Sequence, residues 1–122
     1  MYKLSVKNHI DAAHYLKGYL GKCANLHGHR WIIEIIVSGK RLNQLGMLID
    51  FLDVKQAFKD KIESRFDHKC FNEIYPFDLT RNPTAENIAE HFYHLLSELF
   101  PDVKLDEVRV YESPDCCASY SK

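Results

Sequence analysis

At 122 residues with 46% hydrophobic side chains, the chain is long enough to bury a core as one domain, residues 1–122, without help from disulfides or a structural metal. Sixteen Lys and Arg against seventeen Asp and Glu leave a formal charge of −1 with no run of like charge, which argues against nucleic acid as a partner. Met1-Tyr2-Lys3-Leu4-Ser5 lacks the layout of a secretory signal, and the longest apolar run, Trp31 to Val37, is broken by Glu34; a cytoplasmic protein with no membrane partner and four free thiols is expected.

Residues 2–10 alternate Tyr2, Leu4 and Val6 against Lys3, Ser5 and Lys7, the period of a strand with one buried face. This strand leads to Ala12-Ala13-His14, then to a loop punctuated by Gly18 and Gly21. The loop re-emerges at Lys22-Cys23-Ala24-Asn25-Leu26-His27-Gly28-His29-Arg30-Trp31. A second strand, Trp31 to Val37, ends at Ser38-Gly39. If the extended backbone begins early, His27 and His29 share a face with Trp31, Ile33, Ile35 and Val37. Ile32 and Ile36 lie on the other face, which asks for cover there too and makes self-association the economical expectation.

Gly46 to Asp53 leads into a helix in which Val54, Ala57, Phe58, Ile62 and Phe66 recur at helical spacing, with Asp53 as N-cap. Asp67-His68 follows, then a loop through Asn72, Tyr75, Pro76 and Pro83. A second helix starts at Thr84 with Glu86 in its first turn, buries Ile88, Phe92, Leu95, Leu96 and Leu99, and stops at Pro101. Leu105 to Glu112 and Cys116 to Tyr120 read as strands joined through Ser113-Pro114-Asp115, and Glu112 ends the row begun by Val108 and Val110. This order predicts an α+β fold: a four-stranded antiparallel sheet with both helices on one face and the other left to a partner subunit.

Two imidazoles two residues apart on a strand point the same way and grip one ion together. His14 follows the first strand just as His27 and His29 precede the second, so if those strands pair as antiparallel neighbours all three fall at one end of the sheet. Three histidines are a ligand set of catalytic zinc, which leaves a fourth position open. Surface histidines beside a loop are the competing reading. Cys23 is open to three: a buried hydrophobe, a fourth ligand closing a structural site, or an acid/base beside an open one. Asp67-His68 either caps a helix or supplies a proton carrier with a tuning carboxylate. Glu112 is either a solvated strand end or a carboxylate that receives a ligand's N–H donors. His91 and His94, spaced three apart with Asn87 and Glu98, read as a solvated helix surface, and His9 has no assigned role.

Six ordered stretches together resemble one family, the 6-pyruvoyl and 6-carboxy-tetrahydropterin synthases of the tunnelling fold. They are Ala12-Ala13-His14-Tyr15-Leu16, Cys23 through His29, Gly46-Met47-Leu48-Ile49-Asp50-Phe51, Phe66 through Asn72, Asn82-Pro83-Thr84-Ala85-Glu86-Asn87, and Val108 through Ser113. The resemblance implies zinc held by His14, His27 and His29, and a proton-transfer group of Cys23, Asp67 and His68. It also implies a pterin anchor at Glu112 with Thr84 and Glu86 nearby, and a homo-oligomer, a hexamer built as a dimer of trimers. The three residues between Cys23 and His27 are similar to the bacterial queuosine-pathway enzymes. The implied reaction is then that of a carbon-carbon lyase, from 7,8-dihydroneopterin triphosphate to 6-carboxytetrahydropterin, acetaldehyde and triphosphate. A pyruvoyl product is the alternative, as is action on a related pterin such as sepiapterin; outside enzymes, the alternative is a zinc-stabilised binding module. Phe66, Phe71 and Ser113 depart mildly from the family pattern, and Cys116-Cys117 is foreign to it.

Overall fold

The alternating pattern of the first forty residues folds as one long hairpin in the computed structural model, which describes residues 1–122. Strands β1 (Tyr2–His14) and β2 (His27–Gly39) pair antiparallel from Tyr2 opposite Gly39 to His14 opposite His27. Both run further than their apolar runs suggest. β1 continues through Ala12-Ala13 to His14, and β2 begins at His27 rather than Trp31, because backbone pairing with the partner strand holds segments whose composition alone is neutral. Strands β3 (Lys104–Ser113) and β4 (Cys116–Tyr120) complete a four-stranded antiparallel sheet in the order β1-β2-β3-β4.

Both helical segments pack on one face, as expected. Val6, Ile10, Trp31, Ile33, Ile35, Val37, Val108 and Val110 on that face are buried with Val54, Phe58, Ile62, Phe66, Ile88 and Phe92 in one cluster of 22 residues. The first rod starts as α1 (Phe51–Phe58), widens into π-type turns over Lys59–Glu63 and closes as α2 (Ser64–Phe66). Its N-cap is Asp50 and not Asp53: the Asp50 carboxylate accepts the Leu52 N–H at 2.9 Å, and Asp53 falls in the first turn, where its charge suits the helix dipole. Helix α3 (Ala85–Leu96) is capped by Thr84, whose hydroxyl accepts the Asn87 N–H at 3.1 Å. It ends before Pro101, so Leu99 lies beyond the buried stripe and is 38% exposed. No helix is long and apolar enough to cross a membrane. All four cysteines are free thiols.

On the helix-free face Ile32 and Ile36 sit among polar groups. Glu34, almost fully buried, accepts hydrogen bonds from Ser5 and from Tyr111 (3.0 Å), with Arg109 3.6 Å away. Burial pushes this carboxyl up, but the two hydroxyls and the guanidinium outweigh it and hold it below its ordinary value.

His91 departs from the solvated surface expected of it. The segment around Phe77 covers that side of α3, so the ring lies 5.7 Å from Phe77 and 6.1 Å from Phe66, with a buried Nε2 that has no partner. His94, one turn on, is half-exposed beside Glu90. Burial, reinforced by Arg81 and Arg65, lowers the His91 pKa from 6.5 to about 4. The folded state therefore favours neutral imidazole: stability from His91 is complete above the unfolded pKa and drains away as pH falls from 6.5 toward about 4. Replacing His91 by Phe is expected to spare about 1 kcal/mol of the loss between neutral pH and about pH 5, after discounting for partial exposure, read from urea unfolding of both proteins at the two pH values.

Candidate metal centre and proton-transfer pair

The register that places His14 opposite His27 and Ala12 opposite His29 brings three imidazoles to the end of the β1–β2 hairpin, on the helix side of the sheet. One ring nitrogen from each lies within 4.8 Å of the others. His14 and His29 stand edge-on to Trp31, with ring centroids 4.8 and 5.1 Å from it, so a buried indole forms one wall.

Backbone carbonyls orient two of the rings. His14 Nδ1 lies 2.8 Å from Pro83 O, and His27 Nδ1 lies 2.7 Å from Asn25 O. A carbonyl only accepts, so both Nδ1 atoms carry the proton and both Nε2 atoms present a lone pair. Those two Nε2 atoms are 3.0 Å apart, two acceptors facing each other without a hydrogen between them. His29 Nε2 is buried with no partner at all. One cation relieves all three, so the residues fit a metal ion such as zinc. Burial lowers the pKa of His14, which the Pro83 carbonyl only partly offsets, and burial likewise lowers that of His29; both shifts favour the neutral, ligating form.

Asp67 and His68 leave α2 as a bonded pair, with His68 Nδ1 2.9 Å from Asp67 Oδ2. Asp67 Oδ1 accepts the Asp11 N–H at 2.9 Å, and that bond first, then His68, holds the Asp67 carboxyl below its ordinary range against partial burial. His68 has the one positive φ among non-glycine residues, 60°, and its imidazole is 77% exposed. It lines a cleft of about 730 Å³ together with His29, Arg30 and Lys69. Cys23, half-buried in a single turn at Lys22–Ala24, is not among the converging metal-ligand atoms.

Glu112 lies at a slip in the β3–β4 register. Tyr111 faces Cys117 and Ser113 faces Cys116, so Glu112 is the residue without a partner, a bulge of the kind that re-aims a side chain. Its Oε1 comes within 3.9 Å of His14 Nε2, and its carboxylate is 35% exposed. Glu112 and Glu86 share a pocket of about 280 Å³ with Ala85, Cys116, Cys117 and Ala118. Thr84 is occupied as the cap of α3.

Residues 3–122 match the family model for 6-pyruvoyl tetrahydropterin synthase. The chain belongs to this family. Within it, the chain is 33% identical to the 6-carboxy-5,6,7,8-tetrahydropterin synthase of Rickettsia bellii, over 95% of this chain and 97% of that protein. It is 30% identical to the 6-pyruvoyl tetrahydrobiopterin synthase of Dictyostelium discoideum, over 80% of this chain and 71% of that protein. The solved structure of Caenorhabditis elegans 6-pyruvoyl tetrahydropterin synthase superposes with a TM-score of 0.88 at 22% identity, covering 99% of this chain and 95% of that one. The tunnelling fold expected from the six motifs is thus the fold observed.

Two groups that orient this candidate site escape a reading of side chains alone. Pro83 and Asn25 act through backbone carbonyls, which no residue type announces; the only clue to Pro83 is its place beside the α3 cap. Arg30 stands in the sequence with Lys22, Lys69 and Arg109 as a possible cationic partner for a triphosphate, with nothing to choose among them; its pairing with Asp11 across β1 and β2 is visible only in the register.

Proposed function

We propose that this chain is a zinc-dependent 6-carboxy-tetrahydropterin synthase, a carbon-carbon lyase. It acts on 7,8-dihydroneopterin triphosphate and one water and yields 6-carboxy-5,6,7,8-tetrahydropterin, acetaldehyde and triphosphate, a step of queuosine biosynthesis in the cytoplasm. The observation that carries the reading is the convergence of three ring nitrogens, one buried and orphaned, within reach of the Glu112 carboxylate, in a chain that matches enzymes of that name almost end to end. Residues 1–122 act as one catalytic domain, assembled as a homo-hexamer from two trimers.

His14, His27 and His29 would hold the zinc, which supplies Lewis acidity toward the oxygens of the substrate side chain. Glu112, aided by Glu86 and Thr84, receives the N–H donors of the pterin's amino-pyrimidinone edge, a match of charged acceptor to paired donors. Cys23 as thiolate removes a carbon-bound proton. His68, whose Nδ1 is held by Asp67, offers Nε2 for proton delivery on the other side, and Asp67 stabilises the imidazolium while the proton is carried.

The test is product identification. Purified protein incubated with dihydroneopterin triphosphate is expected to release acetaldehyde in step with triphosphate, and a chelator is expected to stop both. Triphosphate release with a pyruvoyl pterin and no acetaldehyde would assign the reaction named for the Dictyostelium relative instead. Unfolding on chelation with no reaction would return the chain to a zinc-stabilised binding module.

A further inference from the structure

We propose that Arg30 and Asp11 form a positioning clamp that fixes the Asp67–His68 pair, so that Arg30 acts on the reaction only through His68. This rests on the reading of His68 as a proton carrier.

Asp11 is engaged by every polar group it owns. Its side chain is gripped by Arg30 across the β1–β2 pairing, Nε to Oδ1 at 2.9 Å and Nη2 to Oδ2 at 3.1 Å, a two-pronged contact between planar groups. Its N–H donates to Asp67 Oδ1 at 2.9 Å, and its carbonyl accepts the His68 N–H at 2.6 Å. One residue on β1 thus binds the dyad at both members through its backbone, while its side chain is locked to β2. Two residues further on, Ala13 donates to the Lys69 carbonyl at 2.9 Å and forms a parallel bridge with Cys70, so the segment after α2 is laid along β1 as a short extra strand.

The clamp matters because of what it holds. His68 is a non-glycine residue at φ 60°, a sparsely populated conformation that persists only where surrounding bonds over-determine it. Its imidazole is tied at Nδ1 by Asp67 alone and otherwise stands in the cleft, so its aim is set by the Asp67 carboxylate and by the backbone at His68. Asp11 holds the pair at two points, the Asp67 carboxylate through its N–H and the His68 amide through its carbonyl, while the Asp67 N–H stays bonded to the Glu63 carbonyl at 3.1 Å. Lys69 and Glu73 border the same cleft, but neither bonds to Asp11, Asp67 or His68 through its side chain.

An exposed ion pair contributes little to global stability, so the clamp is to be read at His68 and not in the melting temperature. Arg30→Gln is expected to lower kcat by about tenfold with KM and zinc content unchanged, the size seen when an outer partner of a functional group is removed. The His68 amide is expected to exchange its hydrogen about tenfold faster, and Arg30→Lys to recover part of both effects. In a His68→Ala background the Arg30→Gln substitution is expected to add nothing. Unchanged exchange at His68 in Arg30→Gln would overturn the clamp. So would an Arg30→Gln loss of equal size with and without His68, which would mean that Arg30 acts on its own. Full activity of His68→Ala alone removes His68 from the proposed reaction, and amide exchange in Arg30→Gln still decides the geometry.

Discussion

Replacing His27 by alanine is expected to release the metal while leaving the fold intact, with zinc affinity falling by more than about a hundredfold and turnover falling with it. His27 sits at the first position of β2, opposite His14, with its ring turned by the Asn25 carbonyl so that Nε2 points at the other two histidines. Two nitrogens remain after the substitution, fewer than a catalytic zinc site uses. The fold does not depend on them: the buried cluster of 22 hydrophobic residues contains no member of the triad. The metal-free states make a sharper test. In the wild-type chain without metal, two lone pairs face each other at 3.0 Å, and alanine removes one of them. The metal-free variant is therefore expected to be at least as stable as the metal-free parent, whereas with zinc present the parent is the more stable by its binding free energy. Metal analysis after dialysis and thermal unfolding with and without chelator check both statements. Full zinc retention in the variant would reassign the ligands.

Period-two alternation placed Trp31, Ile33, Ile35 and Val37 on the core side correctly, and parity carried His27 and His29 to the same side, because a strand leaves a side chain only two directions. What parity does not contain is the distance between strands. That His14 meets His27 follows from the register, which is a property of the whole hairpin. Helix ends are less legible. Asp50 and Asp53 are both acids ahead of an apolar stripe, and only the extended backbone at Asp50 makes it the cap. The cover over His91 is not legible in its spacing, because a helical wheel reports which face a residue occupies and not what covers that face; Phe77, on a segment of irregular backbone fourteen residues earlier, supplies the cover. Glu112 shows the opposite case. Its parity with Val108 and Val110 points it to the functional side, and the bulge that turns it toward His14 arises from a one-residue mismatch between β3 and β4.

Cys23→Ala is expected to keep about one zinc per chain and to lose turnover by about a hundredfold or more, the range for removing a positioned acid or base. Two features separate the thiol from the metal. It is carried on a turn, Lys22–Ala24, outside both ligand strands, and its backbone carbonyl is fastened to the Leu16 N–H at 2.8 Å, just beyond His14. The three imidazoles already converge without it. A thiol outside the ligand cluster fits the proposed role of a base toward the substrate better than that of a fourth ligand, and alanine is expected to remove only that action. Cys23→Ser, which keeps a polar atom of similar size but is a far weaker base at neutral pH, is expected to bind zinc normally and to recover little of the rate. Steady-state turnover measured beside metal content on the same samples makes the distinction. Loss of zinc in Cys23→Ala would place the sulfur on the metal, and a site closed by four protein ligands has no position left for substrate.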